Sequence, residues 1–222
     1  MAKKIYISPS NQVGNLYATG GTNEKEICHK IAKACVYYLM RCGFNVLCTY
    51  DDDMYKRVKE SNDFGADIHL AIHTNATAKH NVTGGTQVLL YALDGEREKV
   101  GNAVLSRLAP LTPGESAERL IAKPTFYEIK NATGITVYCE CEFHDTTEGS
   151  DFIIKNTDKI GEAIAKGICD YYGVAFYDTT PSEEVLYCVQ VGAFSVRENA
   201  ENFLEKIKAA GFDGFITEKK KG

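Results

Sequence analysis

Residues 67–76 read DIHLAIHTNA, and this stretch decides the fold class. From Asp67 to His73 it is a short, nearly continuous apolar run that ends in Thr74-Asn75, the pattern of a strand covered on both faces. Such strands occur in parallel sheets, where helical crossovers bury each side.

Working outward, the neighbouring segments alternate in the way a parallel sheet needs. IYIS (5–8), FNVLCTY (44–50), TQVLLYAL (86–93) and ITVYCECEF (135–143) read as further strands. Between them, Glu24–Arg41 carries Ile27, Ile31, Cys35, Tyr38 and Leu39 at helical spacing and stops at Gly43. Asp53–Phe64, Gly95–Leu108 and Asp151–Tyr172 complete the helices, and PLTPGES (110–116) reads as a loop. The expectation for residues 1–175 is therefore an α/β domain with a mostly parallel sheet and helices on both faces. FYDTTPSEE (176–184) has the composition of a linker. Residues 185–222 read as a small βαβ unit, with strands at 187–194 and 211–217 around a helix from Val196 to Ala210. That unit is too small to bury a core alone.

Composition removes several classes of function. The 25 basic and 30 acidic residues are interspersed, with a net charge of -5, so no nucleic-acid surface is expected. No phosphate-cradling glycine motif follows the first strand. Two lysines precede the first strand without an apolar h-region, so no secretory signal is expected. No apolar run reaches the ~20 residues that would cross a bilayer. The eight cysteines fit no zinc-ribbon spacing and read as small buried hydrophobes of a protein made in a reducing cytoplasm.

Polar groups at strand ends carry the chemistry. His73 closes its strand and Asn75 lies just beyond. His69 is on the same face but about 13 Å away along the strand, too far to share a metal ion, and reads as structural. Glu24 opens a helix, where the dipole favours a carboxylate. Glu140 and Glu142 alternate with Cys139 and Cys141, which puts both carboxylates on one side of the strand and both thiols on the other. Two carboxylates in an apolar strand are costly unless solvated, paired or metal-bound. His144 follows at the strand's end.

GTNEKEICHKIA, then RVKESN leading to GADIHLAIHTNAT, then TVYCECEFHDTTEGSDFI together resemble the zinc-dependent N-acetylmuramoyl-L-alanine amidases of the amidase-3 type. The resemblance covers residues 4–173 and implies a twisted, largely parallel sheet. It implies that Glu24 and His73 ligate zinc, that Asn11 stands at the position of the family's first His, and that Glu140 acts on the zinc-activated water. The implied reaction is cleavage of the amide between N-acetylmuramic acid and the L-alanine of the peptidoglycan stem peptide. Asn75 and Glu142 are expected to contact substrate, with Glu142 raising the pKa of Glu140 by repulsion.

Asn at position 11 leaves three readings. Asn11 ligates weakly or through water, His144 takes the place of the first His, or the chain is a catalytically impaired relative that only binds peptidoglycan. His29 lies off the Glu24 face of its helix. A different enzyme class would use Cys139 or Cys141 with His144. YCVQVGAFSVRENAENFLEKIKAAGF (187–212) resembles the first half of a SPOR domain, a peptidoglycan-binding fold, which implies wall binding or a homodimer that pairs two halves. The absent signal and reduced cysteines suit an endolysin-like protein that reaches the cell wall after release or lysis.

Overall fold

The computed structural model describes residues 2–77, 84–177, 190–209, 211 and 214–218. The chain divides into two units, Met1–Asp178 and Thr179–Gly222. In the first, the strands are β1 (Lys4–Pro9), β2 (Asn45–Cys48), β3 (Ile68–Asn75), β4 (Gln87–Leu90), β5 (Arg119–Ala122) and β6 (Ile135–Phe143), in the order β2-β1-β3-β6-β4-β5. Neighbours run parallel except β4, which is antiparallel to β6.

The helices are α1 (Glu24–Arg41), α2 (Met54–Phe64), α3 (Gly95–Leu108), α4 (Tyr127–Asn131), α5 (Thr147–Lys155) and α6 (Thr157–Tyr172). The main core lies between α1, α3, α6 and one face of the sheet, where Ile5, Ile7, Ile68, Leu70, Ile72 and Val137 are all buried. Glycines let these helices touch. A Cβ on Gly161 would stand 2.7 Å from the Ala34 Cβ, and one on Gly167 would stand 2.5 Å from the Val104 Cα. A side chain at either position would force α6 away from its partners.

The other sheet face is chemically different. There β1 presents Tyr6 and Ser8, β3 presents His69 and His73, and β6 presents Tyr138 and Glu140, beneath α2 and α4. The small apolar cluster on this side holds only Ala71, Leu89, Ile129 and Tyr138 among its buried members. The strand that reads as uniformly buried is thus apolar towards one helix layer and carries imidazoles towards the other.

The expected helix from Asp151 to Tyr172 is two helices. Thr146 caps the first by accepting from the Gly149 amide at 3.0 Å. The break falls at Asn156, whose side-chain amide donates to the Phe152 carbonyl at 2.8 Å and so competes with helical continuation. Strand β5 and helix α4 were not expected from the sequence.

In the second unit the described residues hold α7 (Arg197–Ala209). Phe194 packs on Phe203 with ring centroids 5.4 Å apart. A Cβ on Gly214 would stand 3.1 Å from Leu204. No strand is assigned at 190–194 or 214–218, and the rest of the two expected strands, like most of the expected linker, lies outside the described residues. Among the described residues no helix is long and apolar enough to cross a membrane.

Candidate active site

The site forms at the C-terminal ends of β1, β3 and β6. Ser10 ties the loop after β1 to β3 through its amide, which donates to the Ile72 carbonyl at 2.9 Å. The loop then returns to α1, where Asn23 caps the helix by accepting from the Glu26 amide. Because Asn23 does the capping, Glu24 is free to turn inward, and it is 1% exposed.

Glu24 and His73 meet there. The Nδ1 of His73 lies 2.8 Å from Oε1 of Glu24, and the Asn15 side-chain amide donates to Oε2 at 2.6 Å. Burial alone would raise the Glu24 pKa, but hydrogen bonds from His73, Asn15 and Ser10 and the His73 charge hold it below its usual value. Burial alone would lower that of His73, but the carboxylates of Glu128 and Glu24 outweigh it and push the imidazole up to about 9. Tyr138 stacks on the His73 ring at 4.3 Å and fixes its plane.

Glu140 completes the group. It is the direct register partner of His73 across β3 and β6. Its Oε2 is buried without a hydrogen-bond partner. Burial, with the Glu24 charge adding to it and His73 opposing, raises its carboxyl to about 7. A carboxylate poised there takes up and returns protons near neutral pH.

The remaining expected residues fall in different places. Asn11 turns away, its amide donating to the Asp52 carbonyl. Its neighbour Gln12 comes within 3.5 Å of His73 Nδ1 instead. His144 lies beyond Thr74, with Nδ1 2.9 Å from the Thr74 hydroxyl and its ring stacked on Tyr17 at 5.0 Å. Nδ1 also lies 3.1 Å from the Thr74 carbonyl, and the Thr74 amide donates to Oε1 of Glu24 at 3.4 Å, so Thr74 links His144 to Glu24. Asn75 ends β3 half-buried and donates to the Gln87 side-chain oxygen at 3.1 Å.

Glu142 does not stand beside Glu140. The ladder shifts register after His73, so that β6 holds one extra residue opposite β3. Glu142 instead accepts from the Gly85 and Phe143 amides, both at 2.7 Å, and from the Gly114 amide at 3.3 Å. Glu24, rather than Glu142, is the like charge that bears on Glu140. Cys139 and Cys141 face the main core, where burial pushes both thiols far above their ordinary range. They are poor nucleophiles there.

Sequence reasoning missed Glu128, which lies on α4 beneath His69 and His73. The segment 117–134 shows no clear period, and a single Glu in FYEIKNA looks like a solvated helix face.

Residues 9–170 match the model of the amidase-3 family, N-acetylmuramoyl-L-alanine amidase, and the chain belongs to that family. Residues 183–222 match the SPOR domain. The sporulation-specific N-acetylmuramoyl-L-alanine amidase of Bacillus subtilis is 26% identical over 220 residues, spanning 96% of this chain and 84% of that protein. The N-acetylmuramoyl-L-alanine amidase CwlM of Bacillus licheniformis is 24% identical over 227 residues, with the same coverage of 96% and 84%. The N-acetylmuramoyl-L-alanine amidase of Clostridium difficile 630 superposes with a TM-score of 0.68 at 25% identity, covering 78% of this chain and 97% of that structure.

Proposed function

We propose that this peptidoglycan amidase cleaves the amide between the lactyl group of N-acetylmuramic acid and the L-alanine of the stem peptide, with zinc held by Glu24 and His73. One observation carries the reading: Glu140, with an unpartnered buried oxygen, stands abreast of a His73 that is paired with Glu24.

Among the described residues no group of three or more His, Cys, Asp or Glu side chains is arranged to hold a metal. Glu24 and His73 are nevertheless donor types that zinc takes. The residues fit an ion that completes its shell with water. When bound, zinc lowers the pKa of water towards neutrality and polarises a carbonyl. Glu140 takes the proton from the attacking water and delivers it to the departing amine of L-alanine. Asn75, at the end of β3, is the residue assigned to hydrogen-bond the peptide, in exchange for its contact with Gln87.

The SPOR match supports a wall-binding role for the C-terminal unit. Its exposed apolar residues, Val191, Phe194, Val196 and Phe215, suit a homodimer that pairs two such units. Light scattering of the full chain beside a chain ending at residue 177 tests this, and a monomer in both would exclude it. Free cysteines at all seven described positions suit synthesis in a reducing compartment and an endolysin-like release to the wall.

A second reading, a binding-only relative, draws on the outward turn of Asn11. Purified peptidoglycan separates the two. The amidase releases free L-alanine amino termini, loses activity to a chelator and regains it with zinc, whereas a binding-only relative sediments with the wall and releases none.

A further inference from the structure

A third carboxylate lies within reach of His73, and the reaction as described does not use it. Glu128, on α4, is 3% exposed. Its Oε1 accepts from the Ser8 hydroxyl at 2.5 Å and lies 3.2 Å from Nε2 of His69. The other nitrogen of His69 is 2.9 Å from the Ser61 hydroxyl, and its ring stacks on Tyr6 at 5.4 Å. The backbone is held as well, since the Thr136 hydroxyl donates to the Glu128 carbonyl at 3.2 Å. Contacts from β1, β3 and β6 therefore fix Oε1 and the backbone of Glu128, and Ser61 of α2 holds His69 in turn.

Its second oxygen points elsewhere. Oε2 lies 3.8 Å from Nε2 of His73, within ion-pair range but beyond a hydrogen bond. That nitrogen is buried and has no hydrogen-bond partner. The opposite nitrogen of the same ring faces Glu24. His73 is thus strung between a carboxylate at the mouth of the site and one behind it.

We propose that Glu128 is a positioning residue that holds Nε2–H of His73, so that Nδ1 is presented to Glu24 and to the metal, and that His69 and Ser8 serve to anchor Glu128. The metal half of this rests on the zinc reading above. A carboxylate on the far nitrogen fixes both the tautomer and the orientation of a ligating imidazole and makes it a better donor. On this view His69 is neither a ligand nor mere filling. It is the brace of the brace, four residues back along the strand that carries His73.

Two measurements test the proposal. In metal-free protein labelled with 15N-histidine, the Nε2–H of His73 gives an exchange-protected resonance in the wild type, and Glu128→Ala loses it. In competition with a chromophoric chelator, the near-isosteric Glu128→Gln binds zinc roughly 10- to 100-fold more weakly. Circular dichroism of Glu128→Gln checks the fold, and this variant carries the test if Glu128→Ala does not fold. A Glu128→Gln protein that is folded and binds zinc as the wild type does would overturn the proposal, as would a protected His73 Nε2–H in Glu128→Ala. A wild type that takes up no zinc would overturn the zinc reading instead, while the NMR measurement still decides whether Glu128 holds the ring.

Discussion

His73 and Glu140 are direct partners across the β3–β6 ladder, so their side chains leave adjacent strands at the same height and on the same face. Just beyond them the ladder shifts register, which leaves Glu140 aimed at the site and sends Glu142 into the loops.

This pairing makes Glu140 useful and costly at once. Its carboxyl is raised from 4.5 to about 7 in the folded protein. A group raised in this way contributes stability that is complete below its unfolded value and lost as pH rises through its folded one. Gln cannot ionise, so Glu140→Gln in metal-free protein should match the wild type at pH 4, below the unfolded value. At pH 8 it should be more stable by roughly 3 kcal/mol, the equivalent of the raised pKa. The same variant should lose about 10²- to 10⁴-fold in peptidoglycan cleavage. Thermal melts at the two pH values and an amino-terminus release assay measure both. A variant equally or less stable at pH 8 would sink the assignment of Glu140 as the buried acid.

Metal content per chain distinguishes Asn11 from His144. Asn11 is spent on the Asp52 carbonyl, so Asn11→His should add a donor and tighten zinc binding relative to the wild type. His144→Ala should leave zinc content unchanged while costing about 1–3 kcal/mol of stability, because it removes the Tyr17 stack and a partner of Thr74. Loss of zinc in His144→Ala alone would reverse this conclusion.

Much of the framework was legible because it rests on local rules. Helix α1 has its apolar period and its stop written in order, and β3 is a bounded apolar run, so both were read to within two residues of where they lie. The Glu24–His73 pair came from the family resemblance; the residues alone marked Glu24 as a helix-start charge. What was not legible depends on contacts distant in sequence. Glu128 meets His69 and Ser8 across 59 and 120 residues, and no local pattern signals that. The separation of Glu140 from Glu142 arises from one extra residue in β6, which strict alternation cannot anticipate. The split between α5 and α6 hangs on a single Asn side chain that bonds its own backbone.

Glu142 is predicted to be structural. Three backbone amides converge on it, two of them from loops that approach so closely that a Cβ on Gly114 would stand 2.4 Å from the Gly84 Cα. Glu142→Ala leaves those amides unsatisfied and should cost about 1–3 kcal/mol. At a temperature where the variant remains folded, kcat should stay near the wild-type value. A loss of kcat comparable to that of Glu140→Gln, with stability unchanged, would restore Glu142 to the chemistry.

The thiols provide the sharpest separation from a cysteine hydrolase. Cys28, Cys139 and Cys141 are buried, and burial pushes their thiols up, so at any given pH each holds less thiolate than a free cysteine. Cys48, only partly covered, is pushed up to about 11. Iodoacetamide at pH 8 should therefore leave Cys139 and Cys141 unmodified in the native protein and spare its activity, while the same reagent in denaturant labels both. A chelator should do the opposite, abolishing cleavage without touching a thiol. A nucleophilic Cys139 or Cys141 would invert both results, with activity lost to the alkylating agent and retained in the chelator.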